Sequence, residues 1–100
     1  MLTKLHILAN ELDLAIQIAD ELDLTLQIAM ESSYSFFELK KELVKIKDSL
    51  PNFTVMTTER LQAENFINGI LNFHYSIPEA IEILSQVRND FAEARKLIKL

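Results

Sequence analysis

From Thr3 to Glu31 nothing interrupts a helical spacing of apolar residues. Leu5, Leu8, Leu12, Ala15, Ala19, Leu22, Leu26 and Ala29 recur at alternating intervals of three and four. Ala9, Ile16 and Met30 widen that stripe, while Thr3, His6, Asn10, Asp13, Gln17, Asp20, Gln27 and Glu31 form a polar one. This is the 3.6-residue period of an amphipathic helix. Four Ala and no Val in the segment agree with it. Such a helix holds its shape mainly by burying its stripe against other elements, so the rest of the chain must supply partners for it.

One feature competes with the helix. Glu11–Ala19 and Glu21–Ala29 read as one motif written twice, ELDLAIQIA and ELDLTLQIA. In the second copy Leu22, Leu24, Leu26 and Ile28 alternate with Asp23, Thr25 and Gln27, which is a strand pattern. A hairpin over residues 12–28 would need a turn at Asp20-Glu21, and the Asn-Gly or Asp-Gly of a two-residue hairpin is absent there. The expectation is therefore one long helix, straight or kinked near Asp20.

Three more helices follow. Ser35-Phe36-Phe37-Glu38 is an S-x-x-E start. Phe36, Leu39, Leu43, Ile46 and Leu50 then make a stripe that Pro51 ends. A third helix begins near Thr58, with Ala63, Phe66, Ile67, Ile70, Leu71 and Phe73 on one side and Gly69 as a local weakness. Ser76-Ile77-Pro78-Glu79 starts a fourth, with Pro in the first turn. Its stripe is Ile77, Ala80, Ile81, Leu84, Val87, Phe91, Ala94 and Ile98. The chain has one Gly and two Pro in 100 residues, which favours a few long elements. The expected fold is all-α: a four-helix, bundle-like single domain over residues 1–100.

Chemistry is scarce. With no Cys, disulfides and thiolate metal sites are excluded; zero Cys suits a reducing, cytoplasmic setting. Met1–Asn10 carries no signal-peptide pattern, and no apolar run approaches a membrane span. His6 lies on a polar stripe, and His74 follows the third helix as a dipole-favoured cap. Neither is paired with a nucleophile, and the Glu-x-x-His spacing of a metal-binding bundle is missing. Asp13, Asp20 and Asp23 read as a solvated acidic face, since hard cations want six or more oxygens. No phosphate loop occurs. Neither an enzyme nor a cofactor is expected.

Charge is uneven. Residues 1–31 hold Lys4 against Glu11, Asp13, Asp20, Glu21, Asp23 and Glu31, and so carry the whole net charge of −5. That disfavours nonspecific phosphate binding. The alternative of a nucleic-acid-associated regulator would use Lys40, Lys41, Lys45 and Lys47 of the second helix, but Glu38, Glu42 and Asp48 interleave with them.

The first helix has more apolar surface than one stripe explains. Ile7, Leu14 and Ile18 form a second flank, and Leu24 and Ile28 project into a sector that is polar earlier on. Left in water they would make a sticky patch. These five residues are the candidate partner interface, and a homodimer is the simplest assembly. Phe53, Val55 and Met56, apolar for a loop, are a candidate docking segment. The expected function is a non-enzymatic protein–protein interaction module of the adaptor, inhibitor or antitoxin kind.

Overall fold

A computed structural model of the chain describes residues 3–32 and 34–100. Among these residues four helices follow one another: α1 (Lys4–Glu31), α2 (Phe36–Asp48), α3 (Thr57–Leu71) and α4 (Ile77–Leu97). The domain is all-α and bundle-like, elongated to 47 × 22 × 19 Å. At about 1.5 Å per residue, α1 runs most of that length.

The repeat does not make a hairpin. α1 is continuous through Asp20-Glu21, because alternation over a few residues is outweighed by the stripe it sits in. The starts of α1, α2 and α4 follow from capping side chains. Thr3 accepts from the His6 backbone N–H, and Ser35 from that of Glu38 at 3.2 Å. Ser76 and Glu79 form a complete reciprocal box. These bonds satisfy amide donors that the first helical turn leaves free.

α1 and α4 pack lengthwise, and α2 covers another side of α1. The α1–α4 pair is antiparallel, pinned by Arg95–Asp13 at 3.0 Å and Arg88–Asp20 at 3.1 Å. Both partners step by seven residues, so one flank of each helix repeats its contact every two turns. Asp13 and Asp20 thus serve this seam, and Asp23 accepts from Gln27.

The main core gathers Leu22 and Leu26 of α1, Leu39 and Leu43 of α2, Ile67 and Ile70 of α3, and Ala80 and Leu84 of α4. Leu26, Leu43 and Ile67 are fully buried, each contributing about 1.5–3 kcal/mol. A smaller cluster of Leu12, Ala15 and Met56, with Phe53 and Phe91 against it, holds the other end.

α3 departs from a regular bundle. It packs chiefly on α2, held further by Lys47 Nζ donating to Asn68 Oδ1 at 3.1 Å, and makes no comparable packing on α4. Its C-terminus closes in a Schellman turn. The backbone N–H of His74 donates to Gly69 O at 2.8 Å and that of Phe73 to Ile70 O at 3.1 Å. Phe73 stands where glycine is usual, with φ 61°. His74 therefore takes part through its backbone. Gly69 lies within α3 and does not end it. The missing Cβ admits the Tyr75 ring, whose Cε2 would come within 2.5 Å of one.

Candidate functional site

Because α3 and α4 diverge, a groove of about 360 Å³ opens between them down to α1. Its floor is Ala15, Ile18, Ala19 and Leu22 of α1. Phe53, Ala63 and Phe66 wall one side, and Ile83, Val87 and Phe91 the other. Tyr75 closes one end, its ring 5.5 Å from that of Phe66. Small alanines in the floor give the groove its depth; larger residues there would fill it. The α4 stripe forms as its spacing predicts, yet of its residues Ala80 and Leu84 alone are buried. Val87 and Phe91 stay half-buried because they face the opening.

The far wall is fixed by a carboxylate. Glu11 is buried on α1, with 6% of its surface exposed. Its Oε1 accepts from the backbone N–H of Thr54 at 2.6 Å, Val55 at 2.8 Å and Met56 at 3.3 Å. Met56 is the N-cap of α3 and offers no capping side chain. Glu11 instead gathers the amides that lead into α3, up to that of its N-cap, beside the helix end where the dipole favours an anion. Arg60 adds a second tie, its Nε donating to Pro51 O at 2.9 Å and its Nη1 pairing with Glu64 at 2.7 Å.

The five proposed interface residues do not share one surface. Ile18 lines the groove, and Ile7 is half-buried. Leu14, Leu24 and Ile28 are exposed by 41%, 61% and 38%. They fall within about 80° of the helix circumference, interrupted by exposed Asn10, Gln17 and Glu21. Of the proposed docking loop, Met56 is core at 3% exposed, Phe53 is a groove wall and Val55 is half-buried. The loop is thus pinned to the body. Lys40, Lys41 and Lys45 are exposed on α2, whereas Lys47 is engaged with Asn68.

Sequence reasoning overlooked Glu11 and the groove. Glu11 carried a signal: it lies three residues after Leu8 and four before Ala15, hence on the buried stripe. A carboxylate there calls for hydrogen-bond donors. Among the described residues no group of three or more His, Cys, Asp or Glu is arranged to hold a metal, and no helix is long and apolar enough to cross a membrane. Comparison with protein-family models, curated proteins and solved structures finds no match.

Proposed function

We propose that this chain is a non-enzymatic protein–protein interaction module that seats one helix of a partner protein in the groove between α3 and α4. The supporting observation is the open slot along α1, apolar on its floor and its α4 wall, with Phe53, Ala63 and Phe66 among polar residues on the α3 side. From Ala15 to Leu22 the floor spans two turns, roughly 10 Å. That length accepts side chains at positions i, i+3 or i+4, and i+7 of an incoming helix. In this reading helix one contributes its inner side at Ala15, Ile18 and Ala19 in place of the second face expected from the sequence, of which Ile18 alone lines the groove. Because the chain has no Cys, single-cysteine photo-crosslinkers can be placed without background. A partner crosslinked from Gln62 at the groove, not from Gln17 on the outer face of α1, and lost on Val87→Asp supports the reading. A partner retained by Val87→Asp, or captured from Gln17 alone, overturns it.

A homodimer is the second reading, supported by the exposure of Leu14, Leu24 and Ile28. Light scattering at high micromolar concentration tests it. A dimer that Leu24→Glu with Ile28→Glu dissociates, at unchanged helicity, favours it; a wild-type monomer removes it.

A further inference from the structure

The two ends of α3 are held differently. Its buried residues, Ile67, Gly69 and Ile70, lie toward the C-terminus. Two ties to α2 lie there as well: Lys47 bonds Asn68, and Phe36 stacks on Phe73 just past the helix end. From Thr57 to Phe66 every residue is exposed or half-buried. In the whole segment from Pro51 to Phe66, Met56 alone is buried, and an unbranched methionine adapts readily to a shifted neighbour. Arg60 bonds Pro51 and Glu64, so its contacts stay within the segment. Among the described residues, Glu11 is the one group outside this segment to which it is hydrogen-bonded, through the N–H groups of Thr54, Val55 and Met56. A driving force for movement is also present. Half-buried Phe53, Ala63 and Phe66 look across the groove at half-buried Val87 and Phe91 and exposed Ile83, and closing the gap would take all six from water.

We infer that the stretch Thr57–Phe66 of α3 is a lid over the groove, latched open by Glu11, and that release of Thr54, Val55 and Met56 from this carboxylate lets the lid close on Val87 and Phe91. The stretch is a lever of roughly 15 Å, at about 1.5 Å per residue, and it pivots on Ile67 and Ile70. The inference concerns the wall and not its occupant, so it stands or falls apart from the partner-helix reading. Its consequence for any binder is one of availability. A closed lid covers the apolar floor, and the apparent affinity of whatever enters the groove falls with the open fraction of molecules.

Distances between paired spin labels test the movement, and the absence of Cys leaves label sites free of background. Leu61→Cys with Gln86→Cys spans the lid and α4; both positions are exposed and neither lines the groove. Asn72→Cys with Gln86→Cys reports on the pivot end. With Glu11 in place, one distance is expected for each pair. Glu11→Gln should add a shorter distance for the first pair and leave the second unchanged. A distribution that Glu11→Gln leaves as it was, or lengthens, overturns the lid. So does an equal shift at both pairs, which means that α3 has come away whole. Amide exchange in the wild type decides the matter without any variant. Val55 and Met56 should exchange through a local opening that depends little on urea, whereas Ile67 and Ile70 should need an opening with the steep dependence of unfolding. Equal urea dependence at all four amides would show that the latch opens only as the domain unfolds, and would overturn the inference.

Discussion

Replacing Glu11 by Ala should destabilise the protein far more than loss of a typical surface charge. The carboxylate is buried and receives three successive backbone N–H groups, the shortest contact being 2.6 Å. A hydrogen bond to a charged group contributes about 1.5–3 kcal/mol net. Three bonds do not count threefold, because all converge on one carboxylate, with Oε1 the nearer acceptor and Oε2 shared by Thr54 and Val55. Thr54 is exposed, so its amide regains water when Glu11 is cut back. Val55 is half-buried and Met56 buried, so their amides are left short of partners. About two bonds remain to be lost, less the desolvation that the buried carboxylate no longer suffers. The result is about 2–4 kcal/mol, a large share of the 5–15 kcal/mol typical of a domain. Urea unfolding followed by circular dichroism should show a midpoint lower by about 1–2 M, given a slope of about 1–3 kcal/mol/M. Glu11→Gln, which keeps one acceptor oxygen and loses the charge, should fall between wild type and Ala. Amide exchange at Val55 and Met56 should accelerate in both variants. An unchanged midpoint with unchanged exchange at these two amides would refute the clamp.

Four further outcomes follow from single features. Ser76→Ala should cost about 0.5–2 kcal/mol through the lost N-cap of α4, read from the unfolding midpoint. Hydrogen bonding to the Ser76 side chain, then to its backbone N–H, holds the Glu79 carboxyl below its usual value. The contribution of the Glu79 carboxylate is therefore present above the ordinary glutamate range and lost as pH falls through the lowered one, while the Ser76 Oγ bond to the Glu79 amide remains; an acid titration of the Ser76 amide shift showing no such loss would contradict it. Gly69→Ala sets a helix-propensity gain of about 1 kcal/mol against an overpacking cost of about 1–3 kcal/mol. It should stabilise in a Tyr75→Ala background and not in wild type, whereas equal effects in both would exclude the Tyr75 contact. Phe73→Ala retains the left-handed strain and loses the stack on Phe36, whose ring centroid is 4.8 Å away. Phe73→Gly loses the stack and relieves the strain, so it should be the more stable by about 1 kcal/mol; equal midpoints would count against a strained turn.

The helices were readable because period and caps are local. Thr3, Ser35 and Ser76 stand where their side chains meet the first-turn amides, and the stripes through Leu12, Leu43 and Leu84 reach the core. Less was legible where a residue's role depends on distant chain. Glu11 meets amides 43 to 45 positions away. Phe73 takes a glycine's backbone conformation with no glycine to announce it. The α4 stripe told which face is apolar, not whether this chain covers it. Val87 and Phe91 were therefore assigned to the core, although they face an opening.

That opening persists for reasons built into the framework around it. Apolar walls this close would gain from collapsing together, so something must hold α3 away from α4. Glu11 fixes the start of α3 against α1, and Arg60 ties its first turn to Pro51. At the other end the Tyr75 ring occupies the notch at Gly69, wedged against Phe66 where the chain turns toward α4. Toward that end α3 is held by α2, with Lys47 bonded to Asn68. α4 is held to α1 by packing along its length, with Arg88–Asp20 and Arg95–Asp13 fixing the alignment. Each wall thus has its own attachment, and none of these ties crosses the groove. A slot braced in this way needs little rearrangement to receive a helix, so less of the binding energy is lost in ordering the site. The buried carboxylate and the lone glycine, costly or weak as isolated choices, become consistent once the structure they support is a preformed groove.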